Sequence, residues 1–143
     1  MNRVICAARA MLFVAAALLL TAGVASAQLD PTKVLIGTWK GELQQRTQKD
    51  ADPTLVLIIK SVKQEDGKMV AEGRFGPTED KTAAIKIDID TSRAKPTLNF
   101  STRSGVPYSL NLMDEKNLVG TVQIKNPSSR GERERQVKLE KTE

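Results

Sequence analysis

The sequence predicts an all-β fold: an eight-stranded antiparallel up-and-down barrel preceded by a short helical turn. Three observations carry that expectation. Between Gly37 and Lys141, about eight short segments alternate apolar and polar residues at the two-residue period of a half-buried strand. Turn-forming residues separate these segments and no helical stretch interrupts them. An even number of strands sets the first and last antiparallel, so the sheet can close on itself.

The helical turn is read from "LDPTKVLIG", where Asp30 can cap, Pro31 suits a first helical position and Gly37 ends the turn. In "GTWKGELQ" (37–44), Trp39, Gly41 and Leu43 share one face, opposite Thr38, Lys40 and Glu42. The next strand, "TLVLIIKSVK" (54–63), is apolar on both faces, with Leu55, Leu57 and Ile59 on one and Val56, Ile58 and Val62 on the other. It is therefore expected to be covered twice or to present an outward contact face, which Val70 would extend. Asp66-Gly67 suits a hairpin turn with consecutive positive-φ positions. It leads into 68–75, where Met69, Ala71, Gly73 and Phe75 alternate with Val70, Glu72 and Arg74.

Ile85, Ile87 and Ile89 then alternate with Lys86, Asp88 and Asp90. In "PTLNFSTR" Leu98, Phe100 and Thr102 point inward, and a turn at Ser104-Gly105 returns the chain as "VPYSLNLM". Pro107 falls outward, where the missing N–H predicts a local break in pairing. Leu118, Gly120, Val122 and Ile124 share a face of 117–125, and Val137 and Leu139 share one of the closing strand, 133–141. In such a meander the long polar loops 44–53, 76–82, 103–105 and 126–132 gather at one end. The tighter "EDGK", "TSRAK" and "DEKN" connections gather at the other, with Trp39.

The N-terminus follows a bacterial export plan: Arg3 and Arg9, an apolar run over 11–20, and a small-residue site at Ala25-Ser26-Ala27 before Gln28. The apolar run is short for a membrane span. Residues 1–27 are expected to be removed, leaving 28–143 as one soluble domain in the periplasm or outside the cell. Gln28 in place of cysteine gives no indication of a lipid anchor. The single cysteine, Cys6, lies in the discarded segment, so the mature fold would rest on packing without disulfides.

The chain has no histidine. Without histidine or cysteine, the mature protein lacks the parts of a Ser-His-Asp or Cys-His nucleophile system and the nitrogen or sulfur ligands of zinc and copper sites. No enzyme activity, catalytic residue, metal or cofactor is expected. The net charge of +5 shrinks when Arg3 and Arg9 leave. It does not come with the clustered basic residues and stacking aromatics of a nucleic-acid binder. The carboxylate pairs Asp50/Asp52 and Asp88/Asp90 lie in a loop or point out from a strand, which suits neither a glycosidase nor a calcium site.

A one-turn helix, Gly37-x-Trp39 at the first strand and a meander of eight strands resemble the lipocalin and calycin barrels. The rhythm of "GTWKGEL", "LVLI", "DGK" and "LVGTV" is also similar to that of bacterial periplasmic lipocalin-like modules. The resemblance implies that Gly37 and Trp39 close one end of the barrel, with a basic side chain from the last strand over the indole. Lys141 has the matching parity, where the family usually has arginine. "GTW" followed by "DGKMVAEG" is similar to the avidin barrels too, but the further tryptophans of their biotin site are absent. Small secreted barrel inhibitors of proteases form a fourth likeness.

Trp39 is then either the floor of a ligand cavity or a core plug, and the short chain favours a filled barrel. Phe75, Thr102 and Tyr108, with Leu43 and Arg103, are the candidate ligand residues, lining an apolar mouth at the loop-rich end. Against this stands a reading in which Phe75 and Tyr108 cap the core. Arg46, Lys49, Lys81, Arg103 and Arg130 share that end with Asp50, Asp52, Glu79 and Asp80, so its field is mixed. Two functions follow: a carrier of a small apolar or amphipathic molecule, or a protein-interaction module with a filled core. The intact mass of protein recovered after export should correspond to a chain starting at Gln28; a retained 1–27 segment would overturn the export reading.

Overall fold

A computed structural model of the chain describes residues 29–44, 54–125 and 132–142. The expected export segment and Arg46, Lys49, Asp50, Asp52 and Arg130 lie outside the described residues. One helical turn, α1 (Pro31–Val34), precedes β1 (Gly37–Leu43), β2 (Thr54–Glu65), β3 (Lys68–Gly76) and β4 (Ala83–Asp90). β5 (Thr97–Ser101), β6 (Pro107–Leu112), β7 (Asn117–Lys125) and β8 (Glu132–Lys141) complete the chain. Each strand pairs with the next and β8 pairs with β1, giving a closed eight-stranded up-and-down barrel. Among the described residues no helix is long and apolar enough to cross a membrane.

The strands are strongly staggered. Trp39 pairs with Leu57 and Leu57 with Phe75, yet Trp39 stands near the start of β1 and Phe75 near the end of β3. Followed once around, the pairings return to β1 about ten residues from where they began, the kind of shear that tilts strands by roughly 35–45°. Tilt of that size lets inward side chains from all eight strands interdigitate. Trp39, Leu57, Ile59, Ile87, Leu98, Leu110, Leu118, Val122 and Leu139 are almost wholly buried and fill the interior.

The closed end is built where the helical turn meets the β1–β8 seam. Asp30 accepts from the Thr32 N–H at 3.0 Å and from its hydroxyl at 2.6 Å, which starts the helical turn and lowers the Asp30 pKa. The turn ends in carbonyls that have no intrahelical partner. Buried Trp39 donates its indole N–H to the Leu35 carbonyl at 2.9 Å, and Lys141 Nζ donates to the Val34 carbonyl at 2.7 Å. Trp39 and Lys141 are direct cross-strand neighbours on the β1–β8 seam, and Nζ lies 5.6 Å from the indole centroid. Gly37 opens β1 at φ 138°, a conformation that favours glycine, and so turns the chain from helix into strand. At Gly41 a Cβ would meet the Lys138 carbonyl oxygen of β8 at 1.8 Å, so the closing seam also depends on a missing side chain.

Two expectations are corrected. The β2–β3 register shifts between Ile59 and Ser61, a bulge that reverses the parity of the strand beyond it. Val62 therefore pairs with core residue Ala71 and packs inward, not on the outer face with Val56 and Ile58. Pro107 keeps its place opposite Ser101 as the first residue of β6, a position that needs no break in the register.

The outward apolar stripe is also not an open contact patch, since Val56 is 5% and Val70 6% exposed. Val56 lies between Lys40 and Gly76, and Lys40 forms an ion pair with Glu79 from the loop after Gly76. Val70 of β3 is paired with Lys63 of β2 and Asp88 of β4, and Glu65 of β2 and Lys86 of β4 form an ion pair diagonally across β3 at 3.2 Å. Exposed pairs of this kind contribute little as ion pairs. Long side chains of this kind lay their aliphatic stems along neighbouring apolar surface, which fits the low exposure of the two valines.

Replacing Lys141 by alanine leaves the Val34 carbonyl without its donor and should cost about 1–3 kcal/mol in urea unfolding. Lys86→Ala, at an exposed pair, should cost about 0–1 kcal/mol. Equal losses from the two would show that the closed end does not depend on the lysine.

Candidate ligand cleft at the open end

Three aromatic rings plug the end opposite Trp39. Phe75, Phe100 and Tyr108 come from β3, β5 and β6 and are all buried. Phe75 meets Phe100 edge-on at 5.1 Å between centroids and Tyr108 edge-on at 4.8 Å. Phe100 and Tyr108, directly paired across β5 and β6, stack at 5.2 Å. Such pairs contribute about 0.5–1.5 kcal/mol each beyond their burial. Burial raises the Tyr108 phenol above its usual value.

Above the plug, the wall of the barrel is notched. β4 pairs with β3 along Ala83–Ile89, but with β5 only at Asp88, Ile89 and Asp90. β5 turns back into β6 early, and the open-end half of β4 has no ladder partner there. A cleft of about 510 Å³ occupies this notch. Phe75, Ala83 and Ile85 give it an apolar floor, and Thr102, Arg103 and Lys81 stand on its polar rim.

Both loops that border the cleft are fixed by local hydrogen bonds. In the β3–β4 loop, Arg74 donates from Nε to the Thr82 hydroxyl at 2.9 Å and from Nη2 to the Thr82 carbonyl at 2.7 Å. Thr54 donates its hydroxyl to the Pro77 carbonyl at 2.9 Å, and the Thr82 hydroxyl donates to the Glu79 carbonyl at 3.2 Å. In the β5–β6 turn, Gly105 adopts φ 80° and donates to the Thr102 carbonyl at 2.8 Å. The Thr102 hydroxyl accepts from the Val106 N–H at 3.2 Å and shares a hydrogen bond with the Ser104 hydroxyl at 2.9 Å. That hydroxyl is largely committed to holding the turn.

Charge at the rim is partly spent elsewhere. Glu79 is turned toward Lys40, while Lys81 and Arg103 form no ion pair among the described residues. Among the described residues, the charged side chains that line the cleft are the cations Lys81 and Arg103. Among the described residues no group of three or more acidic side chains could hold a metal ion.

Of the five residues expected to contact a ligand, Phe75, Thr102 and Arg103 line the cleft. Tyr108 sits in the plug, and Leu43 is a buried core residue opposite Val137. Ile85 and Ala83 are floor residues that the alternation in the sequence marked only as strand. Phe100 completes the plug, and its inward parity was the signal for it. No protein-family model matches the chain, and no curated protein is significantly similar to it.

The single tyrosine gives a clean titration. Because the folded pKa is raised, the neutral phenol is favoured in the native state. The stability from this group is complete below the usual value of 10.0 and is lost as pH rises through the folded value. Ultraviolet titration should show phenolate forming above the pH found for the urea-unfolded chain. Coincident curves would place the ring in solvent.

Proposed function

We propose that the chain is an exported, non-enzymatic binding protein that holds a small amphipathic molecule in the open-end cleft. The one-turn helix, Gly37-x-Trp39 and the Lys141 ammonium beside the indole support grouping it with lipocalin-like and calycin-like barrels. It differs from a deep-pocket carrier in its filled interior, which moves the binding place outward onto the aromatic plug.

The cleft itself carries the reading. An apolar floor of Phe75, Ala83 and Ile85 beside the cations Lys81 and Arg103 offers a tail and a polar head separate places. Its volume of about 510 Å³ is in the range of small-molecule sites. The filled interior also supports a second reading, a protein-interaction module that uses the open-end loops. The Val56/Ile58 face is a poor candidate for that role, because Val56 is already covered.

Titration with a dansyl-labelled fatty acid should give saturable binding at one site per chain. Arg103→Ala should weaken it about tenfold, equivalent to about 1.4 kcal/mol. A correctly folded protein that binds no amphiphile but brings down a stoichiometric protein partner in native mass spectrometry would replace the carrier reading with the second.

A further inference from the structure

The outer wall from β5 to β7 differs chemically from the rest of the barrel. Its outward positions in Thr97–Ser101, in Pro107–Asn111 and from Val119 to Gln123 carry no ionisable side chain, although 27% of the chain is charged. The neighbouring outward faces carry Lys86 and Asp88 on β4 and Glu134 and Lys138 on β8.

The registers align the short polar side chains into a row. Asp88 lies opposite Asn99, Asn99 opposite Ser109, Ser109 opposite Thr121 and Thr121 opposite Gln136. Hydroxyl and carbonyl-bearing side chains thus cross five strands at the inter-strand spacing of about 4.8 Å. A depression of about 380 Å³ lies over this row, lined by Asn99, Ser101, Ser109, Thr121 and Gln123 among others. On this wall the bond between Thr97 and Asn111, at 2.8 Å, belongs to the adjacent row. Among the described residues, Asn99, Ser109 and Thr121 are left facing outward without a side-chain partner. Lys86, at the edge of the depression, is drawn away toward Glu65.

We propose that this wall binds an uncharged polyhydroxylated chain, a glycan lying across the strands. Lys86 is the one cation lining the depression among the described residues and is already paired with Glu65, so the wall gives little hold to phosphate or a polyanion. Hydroxyl and carboxamide groups donate and accept together, as sugar hydroxyls do. Short side chains leave a trough, and successive sugars of an extended chain meet successive strands. The Asp88 carboxylate supplies a strong acceptor at one end of the row. A protein partner would be expected to find an apolar or aromatic centre. Phe100 and Tyr108 also line the depression but are only 5% and 8% exposed, and Val119 is the one exposed large apolar side chain of this wall among the described residues. The site is separate from the open-end cleft.

The test is an amide NMR titration of the full chain with three hexasaccharides: β-1,4-linked glucose, β-1,4-linked N-acetylglucosamine and α-1,4-linked glucose. At least one should shift the side-chain amides of Asn99 and Gln123 saturably. The double variant Ser109→Arg, Thr121→Arg should weaken that binding at least tenfold while the Trp39 indole signal stays in place. Arg103→Ala, in the other cleft, should leave it unchanged. No shift with any of the three sugars, or shifts confined to the open end, would overturn the proposal. So would concentration-dependent dimerisation abolished by Ser109→Arg, which would assign the wall to a second copy of the chain.

Discussion

The seam between β1 and β8 is the constraint on which the rest of the barrel depends. An open eight-stranded sheet of this sequence would leave two ladder edges and a row of apolar side chains exposed to water. Closure removes both, and Trp39 and Lys141 sit together on the closing seam. Each of them also donates to a carbonyl at the end of the helical turn, Leu35 for the indole and Val34 for the ammonium. Strand pairing, capping of the turn and burial of the largest side chain are thereby coupled in one place. An unsatisfied buried indole N–H or carbonyl would cost about 1–3 kcal/mol, so the four groups stabilise one another.

A filled interior decides where function can reside. Leu98, Leu110 and Leu118 occupy the space that a larger barrel would offer to a ligand, and the ring trio Phe75, Phe100 and Tyr108 seals the open end. What remains are places where the wall itself departs from regularity. One is the notch left on the β5 side of the open-end half of β4; another is the trough of short side chains on the outside of β5 to β7. The first is apolar at its floor and cationic at its rim. The second is neutral and hydrogen-bonding, so the two favour different chemistry.

Ion pairs on the opposite wall act more as covers than as electrostatic ties. Lys40, which pairs with Glu79, is the cross-strand neighbour of Val56, and the Lys86–Glu65 pair joins β4 to β2 diagonally across β3, the strand of Val70. The outward valines Val56 of β2 and Val70 of β3 are thereby buried, while Ile58 of the same outward set stays half-buried.

The sequence by itself determined the strand order, the inward set of almost every strand, the cap at Asp30 and the tight turn at Asp66-Gly67. All of these rest on local periodicity or on the backbone preference of one or two residues. Phe75, Thr102 and Arg103 were legible as cleft residues because parity and loop position put them at the open end. Tertiary structure decided what depends on neighbouring strands. The bulge after Ile59 turned Val62 inward, the early return of β5 opened the notch, and Leu43 and Tyr108 went to the core. Alternation reports which face a side chain takes on its own strand. Where adjacent strands separate, slip or shed their charges is set by registers summed around a closed barrel.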